Sequence, residues 1–469
     1  MSEDPRSKSQ AVREALTRAE LYRAGDATGN FRFRIAVEPF ALTRREWDFL
    51  SALGPRLLAF YRAVNQLYFD SISGRAPAWV ARYLDVGKPE TVVECGRMNR
   101  FKRQMPGVIR PDLIPTRDGM IATELDAVPG GIGLTAALSA AYAQAGASLP
   151  DPAGLVTGFE RMIRAHAAGS DATLAIVVSE ESRDYRPEMA WLAEALTQRG
   201  LCAVTLAPSD VSLTDAGLWM QTPEGRRRID VLYRFFELFD LKNVPKSEII
   251  LYAAKKGQVA LTPPPKAYLE EKSAFALFHH PALSAFWRGH LGDETHTALQ
   301  RLFPKTWMLD PTPIPPHAIL PGLALDGVAL SDLRALGAAT QRARHLVIKP
   351  SGFSSLAWGS RGVAVGHDLS ETAWREALDQ ALAAFHTTPH ILQEFHKGKK
   401  VTVAYDDPQR ACVAEMEGRV RLSPYYFVAG NQTHLGGVLA TVCPTDKKCI
   451  HGMPDAVMAP CIVVEGDVE

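Results

Sequence analysis

The chain has 469 residues, of which 46% are hydrophobic and 22% charged, and its 52 basic and 52 acidic residues cancel to a formal charge of zero. This composition excludes collagen-like and low-complexity chains. A neutral chain also lacks the overall positive field that would hold nucleic acid or an anionic membrane. At roughly 100–200 residues per domain, the length predicts two to four domains.

The sequence shows no sign of membrane insertion or secretion. It contains no run of 18 apolar residues, and its N-terminus has mixed charge without an apolar segment. Its six cysteines are few and irregularly spaced, as in proteins with reduced thiols, and Cys443, Cys449 and His451 lack the paired spacing of a zinc site. We therefore predict a soluble cytoplasmic protein that binds no nucleic acid or membrane. Its oligomeric state stays open.

The first third of the chain has mainly helical patterns. Residues 1–30 are polar and helix-prone, and apolar residues recur at helical spacing from Arg44 to Tyr83. Residues 107–126 alternate in polarity, as strands do, and a glycine turn then leads into an alanine-rich helix at 135–146. This region is therefore predicted to be mixed, with helices predominating.

The middle of the chain has the pattern of a parallel α/β domain. An apolar, β-branched run at 173–178 precedes a helix that ends at Gly200, and a second strand follows at 202–207. Strand, helix and strand in immediate succession form a βαβ unit, which implies a parallel sheet. Further strands are predicted at 228–236 and 259–262, and proline-rich boundaries at 263–265 and 310–316.

The last third contains the segment with the clearest functional pattern. A predicted strand at 346–350 delivers Lys349, and a loop of small residues follows: Ser351, Gly352, Ser354, Ser355, Gly359, Ser360 and Gly362. Small residues let backbone N–H groups approach phosphate oxygens, and a lysine supplies a point charge for them. The segment leads to a strand at 363–365 rather than to a helix, so it is not a P-loop. A β-hairpin with solvent-facing glycines is the alternative.

A second segment with functional character follows a predicted helix at 370–385. Gln393, Glu394 and Phe395 end an apolar strand at 391–395, and further strands are predicted at 401–405 and 411–416. A glutamate at a strand end can accept hydrogen bonds from a ribose, and neighbouring backbone groups can bind adenine. A solvated strand end is the alternative interpretation.

The order of lysine strand, glycine-rich loop, helix and Gln-Glu-Phe hinge resembles the ATP-grasp superfamily. Three more segments, in matching order, resemble the glutathionylspermidine-synthetase-like, circularly permuted type of ATP-grasp protein. They are an "Arg-x-Asp … Glu-x-Asn/Asp-x-x-Pro" stretch at 110–133, an "Asp-x-x-Tyr-Arg" strand at 228–240 and a "Pro … Asn-Lys … Leu" segment at 261–278. The resemblance covers about residues 90–460.

This resemblance implies an α/β fold with a helical N-terminal region, a Rossmann-like pre-ATP-grasp domain and a C-terminal ATP-grasp core. We place these units at 1–165, 166–265 and 266–469. Residues 1–165 would contribute the acceptor site. The nucleotide would lie between two subdomains of the core.

The resemblance also implies which residues bind ATP. Lys349 would hold the phosphates, Lys272 would be the second nucleotide-side lysine, and the 352–362 loop would close over the triphosphate. The full predicted set is Lys272, Lys349, Ser351, Gly352, Ser354, Ser355, Gly359, Gly362, Gln393, Glu394 and Phe395. A surface lysine in an amphipathic helix is the alternative for Lys272.

Members of the family bind two Mg²⁺ ions through acidic residues and an Asn on late strands, and here the sequence departs from that pattern. Only Glu415 and Glu417 stand near the expected place, so Glu415 is the predicted ligand. Either Asp455 or His451 replaces the Asn, with Asp455 as the predicted ligand, or metal binding is weakened. Arg421 would stabilise charge at the transferring phosphoryl group. The alternatives are a solvated hairpin for Glu415 and an ordinary strand-edge residue for Arg421.

Charged residues of both signs make up the predicted acceptor site. Guanidinium groups bind carboxylates in pairs of hydrogen bonds, and carboxylates bind amines. The predicted residues are Arg97, Arg100, Arg110, Asp112, Glu124 and Asp126, of which Arg110 is also assigned a catalytic role with Arg421. An internal salt-bridge network is the alternative interpretation.

Together these features predict an ATP- and Mg²⁺-dependent carboxylate–amine ligase that forms an amide through an acyl-phosphate. Its substrates would be a small carboxylate and an amine, amino-acid-like or peptide-like. A small-molecule kinase and an ATP-binding protein without catalytic activity are the alternative functions. A kinase would release a phosphorylated product and no amide. An inactive ATP-binding protein would bind ATP without releasing phosphate.

Overall fold

The computed structural model describes residues 5–22, 33–167, 169, 171–315, 318–325, 327–357, 361–447, 450–452 and 454–466. Within these residues the α-helices are α1 (Pro5–Arg18), α2 (Arg44–Ile72), α3 (Ala78–Asp85), α4 (Glu90–Arg97), α5 (Ile132–Gln144), α6 (Gly154–His166), α7 (Arg186–Gln198), α8 (Ser247–Lys256), α9 (Ser273–His279), α10 (Ser284–Leu302) and α11 (Glu371–Ala383). None of the described helices has both the length and the apolar character needed to cross a membrane.

The β-strands of the same residues are β1 (Arg34–Ile35), β2 (Phe40–Thr43), β3 (Val108–Thr116), β4 (Gly119–Asp126), β5 (Thr173–Val178), β6 (Cys202–Leu206), β7 (Ser212–Thr214), β8 (Gly217–Thr222), β9 (Gly225–Arg228), β10 (Val231–Phe235), β11 (Ala260–Thr262), β12 (Thr306–Met308), β13 (Ala324–Leu325), β14 (Val328–Ala329), β15 (Leu346–Pro350), β16 (Ala364–Val365), β17 (His390–Glu394), β18 (Lys400–Asp407), β19 (Cys412–Ala429), β20 (Gln432–Pro444) and β21 (Val457–Val464).

Two predicted helices begin at polar side chains that satisfy free backbone N–H groups. The Thr43 hydroxyl accepts from the Glu46 N–H, and the Glu46 carboxylate accepts from the Thr43 N–H in return, which starts the long helix α2. Ser370 caps α11 by accepting from the Ala373 N–H at 3.1 Å. The helical pattern predicted for Arg44–Tyr83 is confirmed as α2 and α3.

The predicted parallel sheet is confirmed in the middle of the chain. Its strand order is β11-β10-β5-β6, and all three pairings are parallel. Every residue of β5 is buried because helices cover the sheet, which explains the continuous apolar run. This sheet places Arg234 of β10 and the following turn next to the segment that carries Lys272.

A larger sheet joins strands from both ends of the chain. Its main order is β1-β21-β20-β19-β3-β4, with β18 paired to β19 and β2 paired to β21. Residues assigned to the 1–165 and 266–469 units therefore share one sheet. The β3–β19 pairing sets Leu113 opposite Leu422, and both pack with Leu57 of α2 in one apolar core. Arg110 and Asp112 consequently lie beside Arg421.

A smaller antiparallel sheet has the order β12-β17-β15-β16. Helix α11 covers one face, where its Trp374 is fully buried with Ile348 and Leu392. Positions along a strand alternate between the two faces, so Val347 and Lys349 point away from this helix. The open face of this small sheet and the edge of the large sheet enclose the candidate site.

Candidate functional site

A cavity of about 550 Å³ lies between the small and large sheets. Ten of the residues predicted to bind ATP or substrate, or to act in catalysis, line it: Arg110, Asp112, Glu124, Asp126, Lys272, Lys349, Gln393, Glu394, Phe395 and Arg421. The fold therefore brings together side chains that are more than 300 residues apart in sequence. We call this cavity the cleft.

Lys349 connects the two walls of the cleft. Its ammonium group donates to the Gln393 Oε1 at 2.8 Å and to the Thr123 carbonyl of β4 at 3.1 Å. Gln393 is held in turn because its amide donates to the Thr306 hydroxyl at 3.2 Å. The predicted strand-end lysine thus has a defined direction, towards the cleft.

A second lysine of the cleft contacts the same strand, β4, as Lys349 does. Lys272 Nζ lies 2.7 Å from Glu124 Oε1 of β4, and the lysine side chain is buried while the glutamate is about one-third exposed. Burial opposes the charged ammonium, but the carboxylates of Glu124, Asp126 and Glu271 together outweigh it and raise the pKa of Lys272. The pair therefore keeps a charged lysine at the cleft.

Arginine and aspartate side chains form a network at the inner end of the cleft. Asp112 lies 3.2 Å from Arg110 Nε, and it accepts from Arg421 Nη1 and Ser423 Oγ at 3.0 and 3.2 Å. Burial would raise the pKa of Asp112, but the two guanidinium groups lower it below its usual value. Asp112 thus orients Arg421. For Asp112, the structure agrees with the alternative interpretation, an internal salt-bridge network.

Asp126 and Glu124 are two partly exposed carboxylates of the cleft. They are two residues apart on β4, so they share a face. Asp126 lies 3.1 Å from Arg110 Nη2 and also accepts from the Val128 N–H at 2.8 Å. Burial raises the pKa of Asp126, and the neighbouring Glu124 adds to this rise. These two carboxylates are therefore close enough to interact.

The described residues that line the cleft carry more positive than negative charge. Four are acidic, namely Asp112, Glu124, Asp126 and Glu394, and seven are basic, namely Arg110, Lys272, Lys349, Lys397, Arg419, Arg421 and Lys447. The buried Nε atoms of Arg419 and Arg421 have no hydrogen-bond partner among the described residues. A neutral protein therefore has a locally cationic cleft with free guanidinium donors.

Sequence reasoning missed Arg419, Lys397, Lys447, His345, His367 and His396 of the cleft, whereas His451, the predicted alternative to Asp455, does line it. Arg419 stands two residues before Arg421 on β19, and that spacing could have revealed it, since alternate residues share a face. The histidines lie in loops and strand ends without a motif. His367 packs edge-on against Phe395 with ring centroids 4.5 Å apart.

The outer end of the cleft is lined by rings and aliphatic side chains. His345, Val347, Val365 and His367 surround the position of Phe395. Glu394 lies 3.7 Å from His396 and 3.8 Å from Lys305. The nearby His396 imidazole is the largest influence on Glu394 and lowers its pKa. This end combines a flat apolar surface with one ionised acceptor.

The glycine-rich loop begins at a close contact with the body of the protein. A Cβ atom on Gly352 would lie 1.8 Å from the Glu270 carbonyl oxygen, so only glycine fits. Ser351 and Gly352 are hydrogen-bonded to Glu271 and do not line the cleft. The later loop residues Leu356 and Ala357 do line it.

The rest of the predicted loop set is only partly described. Ser354 accepts from the Leu356 N–H at 3.2 Å, Ser355 begins a short 3₁₀ turn, and the Gly362 N–H donates to the Leu356 carbonyl. Gly359 and Ser360 lie outside the described residues.

Four predicted site residues lie elsewhere, which corrects their assignment to this site. Arg97 binds Asp85 at 2.6 Å on the helical side, and Arg100 packs against Gly257. Glu415 is exposed in the β18–β19 hairpin, and Asp455 is exposed and 3.2 Å from Arg34. Glu415 and Glu417 share a face because they are two residues apart, and that face is solvated. No cluster of three metal-ligating residues occurs in the described part of the chain.

Comparison with known proteins gives a structural likeness only. No protein-family model matches the sequence, and no curated protein matches it. A glutathione synthetase-like effector from Globodera pallida, solved in apo form, superposes with a TM-score of 0.59 at 11% identity, over 99% of this chain and 98% of the other. A putative gamma-glutamylcysteine synthetase from Methylobacillus flagellatus KT gives a TM-score of 0.42 at 11% identity, over 82% and 87%. At this identity the first match shows a shared α/β fold.

Proposed function

We propose that this chain is an ATP-dependent carboxylate–amine ligase of the ATP-grasp type. The observation that carries the proposal is the cleft itself. Two lysines, Lys349 and Lys272, line one cationic cavity that also holds Arg421 and a pair of carboxylates. The fold shared with a glutathione synthetase-like protein supports the same conclusion.

ATP is the polyanion that fits this charge distribution. Its triphosphate would lie along Lys349 and Lys272, because opposite charges a few ångströms apart attract strongly in a partly desolvated cleft. Its base would pack in the outer end between Val347, Val365 and the ring of Phe395. Glu394 would accept hydrogen bonds from the ribose, as an ionised carboxylate can.

The cleft also contains oxygen ligands suited to Mg²⁺. In nucleotide sites this ion is usually held by one or two carboxylates together with the phosphates. Glu124 and Asp126 are partly exposed, share a face of β4 and border the same cavity as the lysines, so they replace Glu415 and Asp455 as the proposed ligands. When bound, Mg²⁺ would offset phosphate charge.

The proposed chemistry has two steps. An oxygen of the substrate carboxylate attacks the γ-phosphorus, the bond to the β-phosphate oxygen breaks, and ADP leaves with the electron pair. The substrate amine then attacks the acyl carbon of the acyl-phosphate, loses a proton and expels inorganic phosphate, which leaves an amide. Arg421 and Arg110 contribute fixed positive charge where negative charge develops on the phosphoryl and acyl oxygens.

The inner end of the cleft supports a substrate with both charges. The Arg421 guanidinium would bind a carboxylate, and the acidic pair Glu124 and Asp126, which would also hold Mg²⁺, would attract an amine. An amino-acid-like or peptide-like molecule has both groups, whereas a simple fatty acid has only one. We therefore propose substrates of that class.

Thermal unfolding with and without Mg·ATP tests the nucleotide site first, since a ligand bound only by the native state raises the midpoint. ADP release is then measured with pairs of amino acids or short peptides. ADP release that requires both a carboxylate and an amine, with formation of an amide, supports the ligase. A phosphorylated product without an amine indicates a kinase, and a raised midpoint without any ADP release indicates a nucleotide-binding protein. No rise at millimolar Mg·ATP contradicts the proposal.

A further inference from the structure

Behind the cleft, a buried ion pair lies where the small sheet meets the body of the protein. Lys88 Nζ is 2.6 Å from Glu271 Oε1, and the two side chains are 1% and 0% exposed. Removing two charges from water is costly, so a pair this deeply buried is seldom explained by stability alone. Neither residue lines the cleft, and the proposed chemistry uses neither.

The other oxygen of Glu271 holds the start of the glycine-rich loop. Glu271 Oε2 accepts from the Ser351 hydroxyl and, at 3.1 Å, from the Gly352 N–H. The loop is pressed against the same turn, as the contact between Gly352 and the Glu270 carbonyl shows. One carboxylate therefore joins the residues after β15 to the residues before α9.

The next residue of the loop is anchored to the same part of the body. The ring of Phe353 lies 5.7 Å from Lys88 Nζ, and it packs against a small apolar cluster of Val92, Leu238 and Ala267. Glu271 therefore holds Ser351 and Gly352, and Lys88 and the apolar cluster hold Phe353. The anchored part ends before Leu356, which lines the cleft.

The hydrogen bond between Glu271 and Ser351 joins two residues that each lie close to a cleft lysine in sequence. Glu271 is followed by Lys272, and Ser351 comes two residues after Lys349. The hydrogen bond between Glu271 and Ser351 therefore limits how far the two lysines can separate. A separation error of about 1 Å is enough to impair a catalytic site strongly.

We propose that Lys88 and Glu271 are positioning residues that set the spacing of Lys272 and Lys349 and fix the glycine-rich loop for nucleotide binding. This inference rests on the proposed function. Lys88 orients Glu271, Glu271 orders Ser351 and Gly352, and the ordered loop holds the two lysines at the separation that the triphosphate requires. Neither residue touches the ligand.

The test compares Lys88→Met with the double variant Lys88→Met/Glu271→Gln. The single variant leaves a buried carboxylate without its counterion, so we expect Mg·ATP affinity to fall at least tenfold. The double variant removes both charges and keeps an acceptor oxygen, so affinity should recover to within about threefold of the wild type. Lys400→Met is the matched control, because it breaks an exposed 2.7 Å pair with Glu417.

A second readout needs no nucleotide. The Gly352 N–H is hydrogen-bonded to Glu271, so its amide hydrogen exchange should become at least tenfold faster in Lys88→Met and stay unchanged in Lys400→Met. If Lys88→Met does not fold, Ser351→Ala replaces it, with faster exchange at Gly352 and weaker Mg·ATP binding expected.

The two readouts separate the positioning role from the proposed function. Unchanged exchange at Gly352, or a double variant that binds Mg·ATP no better than Lys88→Met, overturns the positioning role. If the wild type does not bind Mg·ATP at all, the proposed function fails, and with it the role in nucleotide binding. Faster exchange would in that case still support the anchoring of the loop.

Discussion

Arg234 and Glu270 form an ion pair between the parallel sheet and the turn that leads to Lys272. The Arg234 side chain is fully buried, and its guanidinium also donates to the carbonyl groups of Phe236 and Pro263 at 2.6 and 3.4 Å. Glu270 thus binds the parallel sheet, while Glu271 and Lys272 bind the glycine-rich loop and β4. Three consecutive residues connect the three parts of the molecule that meet at the cleft.

Breaking this pair should destabilise the fold strongly. In Arg234→Met, Glu270 loses its counterion in a buried place, and such losses cost about 3–5 kcal/mol. The free energy of unfolding from denaturant titration measures the effect. As a control, Arg183→Ala breaks an exposed pair with Glu180 and should change that free energy by less than about 1 kcal/mol. Equal effects of the two substitutions would contradict the structural role of Arg234.

Lys349→Ala should weaken nucleotide binding without loss of folding. The lysine makes hydrogen bonds to Gln393 and Thr123 but is not part of the apolar core. Loss of one charged contact to phosphate, worth about 1.5–3 kcal/mol, predicts roughly a 10- to 100-fold lower affinity for Mg·ATP. Titration calorimetry measures it, with the exposed Lys399→Ala as control. If Lys349→Ala binds Mg·ATP with wild-type affinity, Lys349 does not contribute to nucleotide binding.

The sequence predicted those strands and helix ends that are determined by residues close together in the chain. The apolar run at 173–178 became β5, and Ser370 became the cap of α11, because burial on both faces and a free helix end each leave a signature within a few residues. Lys349 and Gln393 were selected for the same reason, as each ends an apolar strand followed by polar residues. Both now lie in the cleft.

Features that depend on distant pairing could not be predicted. Nothing in the sequence near Asp112 indicates that β3 pairs with β19 and brings it to Arg421. The bond between Lys88 and Glu271 joins residues far apart in sequence, and the two carry no motif. The metal assignment to Glu415 followed the order of elements in the family, whereas the partly exposed cleft carboxylates are contributed by β4, early in the chain.

Arg421→Gln should reduce turnover far more than nucleotide binding. Asp112 keeps Arg110 as a partner in this variant, so the network loses one guanidinium without leaving the aspartate unpaired. Loss of one preoriented donor to a developing oxyanion typically costs 10²–10³ in kcat. Steady-state ADP release gives kcat and KM for each substrate, and the exposed Arg410→Gln of the same β18–β19 hairpin is the control. A change confined to the KM for ATP would contradict a role for Arg421 in the chemical step.

Glu188→Gln should remove a pH dependence of stability. The Glu188 carboxylate accepts from the N–H groups of Gly131 and Leu134, at 2.7 and 3.0 Å, where α5 begins. Burial outweighs these hydrogen bonds and raises the pKa of Glu188 to about 7. The folded chain therefore keeps a proton that the unfolded chain releases from its usual pKa upwards, so this group's contribution to stability is lost as the pH rises towards 7.

The size of this effect follows from the pKa shift. Between pH 5 and pH 7.5 the wild type should lose about 2 kcal/mol of unfolding free energy relative to Glu188→Gln, which has no proton to release at this position. Denaturant titrations at the two pH values measure the difference. Glu194→Gln changes an exposed glutamate of the same helix, α7, and should follow the wild-type curve. Parallel pH profiles for the wild type and Glu188→Gln would show that Glu188 is ionised throughout this range, as its two backbone donors alone would favour.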